Sequence, residues 1–220
     1  MTGTRRILYG LDRLPRTIAL DDTRLPGVAV GSDKLRLNTE PLPPDAMPLA
    51  IGDHAARVAA ATEWLISLCG NYAPLRRQFI RCYFGVIAAE IAAHRAELAE
   101  QLKRYDGLYS PDDWTWSALR PLPRAWLPAR DSMLPADIAF LDGTQPIAIE
   151  LAARDTERQA ALRAAGIKVC RIEPSVLAGD MVRLADMLPD SFRRFWQDQT
   201  LPSSPFRRPI PRGVVRDATV

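Results

Sequence analysis

The stretch from Ala136 to Leu151, ADIAFLDGTQPIAIEL, constrains the chain most, because it reads as two short buried strands joined by a tight turn. Ile138 and Phe140 alternate with Ala139 and Leu141, and Asp142-Gly143 then supplies a dipeptide that tolerates positive φ. Ile147, Ile149 and Leu151 resume a β-type apolar series. Two acids sit where a purely structural hairpin has no need of them: Asp137 near the start of the first strand and Glu150 near the end of the second. A carboxylate in the middle of an apolar strand loses solvation, so it persists only when paired, hydrogen-bonded or bound to a cation.

A length of 220 residues with 47% apolar content suits one well-formed core with appended tails. The formal charge of +3 resides entirely in the last 22 residues, where Arg207, Arg208, Arg212 and Arg216 face a single acid, Asp217. The other 25 basic and 25 acidic residues cancel. Charge therefore makes no case for a basic body, and the nucleic-acid contacts it suggests are Arg207, Arg208 and Arg212 of the tail. Cys69, Cys82 and Cys170 are an odd, widely spaced set in apolar surroundings, which fits neither a disulfide framework nor a zinc site and points to a reducing cytoplasm. The N-terminus lacks the apolar run of a signal peptide. No stretch approaches the roughly 20 apolar residues of a membrane span.

Prolines and turn formers break up residues 1–52, predicting an irregular N-terminal arm with two or three short strands, among them Gly27 to Val30 and Leu35 to Leu37. Asp53 is placed to cap a helix in which Val58, Ala61, Leu65 and Leu68 share a face, ended by Gly70-Asn71. A longer helix from about Pro74 to Lys103 follows from the spacing of Ile80, Phe84, Ile87, Ile91 and Leu98. Glu90 lies in its apolar middle and is a candidate accessory acid. The segment from Tyr105 to Pro135, rich in proline and tryptophan, is expected to be a long loop pinned by Trp114, Trp116 and Trp126, with an edge strand around Arg124 to Leu127; base stacking by these rings is the alternative.

After the hairpin, Asp155 to Ala165 reads as a short amphipathic helix stopped at Gly166, and Ile167 to Ile172 as a strand returning parallel to the hairpin through a helical crossover. Val182 to Leu188 and Phe192 to Trp196 read as helical turns. The Pro/Arg-rich segment 199–220 is expected to be disordered until a partner orders it. Residues 53–198 thus carry the helical pair and an α/β core.

Pro135-Ala136-Asp137, followed 13 residues after the aspartate by Ile149-Glu150-Leu151, resembles the PD-(D/E)XK nuclease superfamily. The continuation Asp155, Arg158, Leu162, Gly166, Val169, Arg171 and Ile172 is similar to its branch around very-short-patch-repair endonucleases, over about residues 84–176. The resemblance implies a restriction-endonuclease-like core, a mixed central sheet flanked by helices, acting on DNA. It further implies a Mg²⁺ ion held by Asp137, Glu150 and the Leu151 carbonyl, which would polarise a phosphate oxygen and activate a bound water. Two features depart from the pattern, and one is that the Asp-Gly with a nearby His expected in the short-patch branch is missing. Where the superfamily has lysine two residues after the second acid, this chain has Ala152, so Lys168, one strand away, is the candidate to complete the catalytic set with Asp137 and Glu150. Arg154, Arg158 and Arg171 are accessory candidates. Guanidinium is a poor proton acceptor, which makes Arg154 a weak substitute for lysine.

Three readings stay open. The chain is a Mg²⁺-dependent DNA endonuclease within a larger nucleic-acid-processing system. Alternatively it is a catalytically degenerate nuclease-fold subunit that binds nucleic acid or a protein partner through its N-terminal arm or C-terminal tail. In the third it is an unrelated α/β domain in which Glu150 pairs with Arg154, Arg158 or Arg171. No GxGxxG, Walker A, HExxH or GxSxG pattern favours another enzyme class.

Overall fold

The hairpin at residues 136–151 lies inside a six-stranded mixed sheet of order β2-β1-β3-β4-β5-β6. A computed structural model describes residues 6–13, 15–19, 34–37, 54–129, 132–143, 145–151, 156–178 and 181–203. The strands are β1 (Arg6–Tyr9), β2 (Arg16–Ala19), β3 (Leu122–Pro128), β4 (Met133–Asp142), β5 (Gln145–Glu150) and β6 (Lys168–Arg171). The helices are α1 (His54–Ser67), α2 (Pro74–Ala93), α3 (Arg95–Leu102), α4 (Thr156–Ala164), α5 (Pro174–Leu177) and α6 (Met181–Met187). The protein is thus α/β, and no helix among the described residues is long and apolar enough to cross a membrane.

β4 and β5 pair antiparallel with Ile138 opposite Ile149 and Phe140 opposite Ile147, and Gly143 turns between them at φ +63°. Alternation of large apolar side chains with small ones (Ala139, Ala148) lets helices lie close over this part of the sheet. Phe140 is the hub, its ring meeting those of Phe79 and Tyr83 from α2 and Phe192 from the C-terminal segment at centroid distances of 6.3, 5.2 and 4.5 Å. Tyr83, itself fully buried, satisfies its hydroxyl by donating to the Leu119 carbonyl at 2.8 Å.

The crossover through α4 returns β6 parallel to β5, as the sequence predicts. Gly166 ends that crossover at φ +77°, and nothing lies within 4 Å of where a side-chain carbon would sit. Gly166→Ala is therefore expected to cost about 1 kcal/mol through backbone strain alone, measured as a shift in the urea midpoint with an unchanged slope.

Other expectations are corrected. The strand around Arg124 to Leu127 is not an edge: β1 and β2, an N-terminal hairpin, pair beyond it, with Leu8 opposite Trp126. The helix expected to run from Pro74 to Lys103 is broken at His94, whose backbone leaves helical geometry (φ −108°, ψ 14°) where its ring packs at 4.9 Å on Trp196. Trp114 and Trp116 are buried in a 3-10 segment, Pro111–Ser117, so they pin the loop to the core, whereas Trp126 stays 43% exposed. Of the two C-terminal helical turns, Val182 to Leu188 corresponds to α6, whereas the second is a 3-10 helix at Asp190–Phe192 that ends where the turn expected over Phe192 to Trp196 would begin. Within the arm, Leu35 to Leu37 contributes a single bridge, Arg36 to Leu119. Gly27 to Val30, Asp53 and the tail from residue 204 lie outside the described residues. The described start of the tail is anchored, since Ser203 donates its backbone N–H to the Ser117 hydroxyl at 2.8 Å.

Candidate functional site

Asp137 and Glu150 directly flank the Ile138–Ile149 pair that ends the β4–β5 ladder. They are 8% and 1% exposed. Each has recruited its own cation. One oxygen of Asp137, Oδ1, accepts from both Nε and Nη2 of Arg76 at 2.9 Å, while Oδ2 accepts the Leu151 backbone N–H at 2.9 Å. Glu150 Oε2 accepts from Nη2 of Arg158, one turn into α4. Its other oxygen, Oε1, is buried without a hydrogen-bond partner among the described residues.

Burial pushes the Glu150 carboxyl above the ordinary range, the Arg158 guanidinium pulls it down, and the charge of Asp137 adds to the upward push. The two acids therefore lie within electrostatic reach of one another. The rest of the predicted set is dispersed. Lys168 is the register partner of Ile147, three residues from Glu150, so the strand pleat sends it to the opposite face of the sheet. Arg171 is the partner of Glu150 in that ladder, and its Nε is buried without an acceptor among the described residues. Glu90 sits 14 residues along α2 from Arg76, about 21 Å away at helical rise, and accepts from Nε of Arg193 at 2.9 Å. Ala152 and Arg154, like Arg207, Arg208 and Arg212, lie outside the described residues.

The site does not fit Mg²⁺ as it is built. Three of the four carboxylate oxygens already accept N–H donors, two of them from guanidinium groups and the third, on Asp137, from the Leu151 backbone. A hard cation would have to displace both arginines before it could hold two carboxylates and its waters. Among the described residues no group of three or more His, Cys, Asp or Glu side chains is placed to hold a metal ion, and the three cysteines are free thiols.

Arg76 is the residue that the sequence analysis left out, though a signal was present. The first turn of α2 has no acid and carries Arg76 and Arg77, the wrong sign for a helix N-terminus, so at least one of them needs a tertiary carboxylate. Beside the Arg76–Asp137 pair lies a shallow cleft of about 190 Å³. Its walls include Pro74, Leu151 and Tyr72, whose side chain is fully exposed. Set against models of protein families, curated proteins and solved structures, the chain has no match.

Proposed function

We propose that the chain is a nucleic-acid-binding subunit with a restriction-endonuclease-like core in which guanidinium–carboxylate pairs stand where a hydrolytic centre would be. The observation that carries this reading is the neutralisation of Asp137 by Arg76 and of Glu150 by Arg158. It is supported by Ala152 at the lysine position and by Lys168 on the far face. Among the described residues the site brings three arginines, Arg76, Arg158 and Arg171, to two carboxylates, an excess suited to phosphate. DNA is the expected ligand, with the Arg207, Arg208 and Arg212 tail adding electrostatic contacts.

Plasmid incubated with the chain and Mg²⁺ or Mn²⁺ is expected to stay supercoiled, while labelled DNA binds with an affinity that falls steeply with salt. Removal of residues 199–220 is expected to weaken binding several-fold and flatten the salt dependence. Nicking that disappears in both Asp137→Ala and Glu150→Ala would instead establish a Mg²⁺-dependent endonuclease. One observation favours that second reading: both acids lie at the same end of the β4–β5 ladder, within electrostatic reach of each other.

A further inference from the structure

Tyr72 is a large ring set wholly in solvent on a loop that is otherwise braced. Gly70 turns the chain at φ +81°, and its carbonyl accepts from Nε of Arg77 at 3.1 Å. A second observation concerns charge. Arg76, Arg77 and Arg124 all lie close enough to Cys69, directly before this loop, to pull its thiol down against the burial that raises it to about 11. Arg76 lines the same cleft as the ring, and Arg77 and Arg124 both reach Gly70, two residues before it. Arg124 reaches the place by adopting φ +53°, a left-handed backbone that a non-glycine residue holds only when its surroundings enforce it. Its guanidinium pairs with Asp12 and stands 3.2 Å from the position of a Gly70 side-chain carbon.

From these placements we infer that the loop between α1 and α2 is the contact for an unpaired nucleotide, with the Tyr72 ring stacking on the base and the Arg76–Arg77 edge meeting the flanking phosphates. This rests on the nucleic-acid reading and names its substrate class as single-stranded. A base within a duplex already has both faces covered, whereas a ring at the rim of the cleft needs an uncovered one. The pairing of one aromatic face with adjacent positive groups matches a nucleotide's combination of a flat base and a phosphate. It does not match an apolar protein surface, which would need several large apolar side chains together.

The test uses the full chain, fluorescein-labelled oligothymidine of about 20 nucleotides, and the same length as duplex. Tyr72→Ala is expected to weaken single-strand binding about 5- to 100-fold, with Tyr72→Trp retaining it. The salt slope should be unchanged in Tyr72→Ala and smaller by about 0.7 in Arg77→Ala, the signature of one lost phosphate contact. The ring is fully exposed, so thermal unfolding of Tyr72→Ala should match the parent. If oligothymidine binds equally well to the parent and to Tyr72→Ala, the stacking assignment is overturned while the nucleic-acid reading stands. If polyglutamate displaces the oligomer at equal charge concentration, the contact is charge alone and the assignment again fails. Absence of binding to either nucleic acid removes both.

Discussion

Replacing Arg158 with alanine is expected to destabilise the protein by about 3–5 kcal/mol at neutral pH, because it strands a buried carboxylate without its cation. Glu150 is 1% exposed, and its other oxygen has no hydrogen-bond partner among the described residues. The pH dependence follows from the upward shift of its carboxyl. An acid whose folded pKa lies above its unfolded value holds its proton more tightly when folded. Its contribution to stability is then fully present below the unfolded pKa and is lost as pH rises through the folded one. Without Arg158 the main opposition to the upward push is gone, so the variant should recover part of its loss between neutral pH and about pH 5. Urea unfolding at both values measures this. Equal losses at the two pH values would mean that Glu150 is not the group left stranded. In Glu150→Gln the sloping contribution should vanish, since nothing remains to titrate.

Phe140→Ala is the other large change, expected to cost about 3–5 kcal/mol. The ring is fully buried, and it joins α2, the sheet and the C-terminal segment through Phe79, Tyr83 and Phe192. Against a typical stability of about 5–15 kcal/mol, that loss brings the variant near its folding threshold. Phe140→Leu should keep most of the volume and lose roughly half as much. A urea midpoint for Phe140→Ala close to that of the parent would show that the aromatic cluster contributes little. The site depends on the same ring, because Phe140 fixes β4 against α2, and α2 carries Arg76 to Asp137.

Local patterns carried the hairpin, α4, Gly166 and β6 into view, since each is fixed by residues close in sequence: alternation, a positive-φ turn, a C-terminal glycine. The pairing of Glu150 with Arg158, eight residues on, was within the same range and stood among the readings of the sequence. What the sequence hid depends on register and distant packing. Whether Lys168 or Arg171 shares a face with Glu150 turns on a one-residue choice of alignment between parallel strands, and no local preference sets it. Arg76 meets Asp137 across 61 positions, as one of 26 arginines, and only its unfavourable place in the first turn of α2 set it apart. The strand at Leu122–Pro128 looked like an edge because the pairing that covers it comes from the opposite end of the chain.

That last pairing bears on how the protein is made. Leu8 meets Trp126 across 118 positions, so the β1–β2 hairpin has no sheet to join until β3 has been made. Until then its edge and apolar side chains stand uncovered, and a nascent chain in this state is the one that a chaperone would have reason to hold.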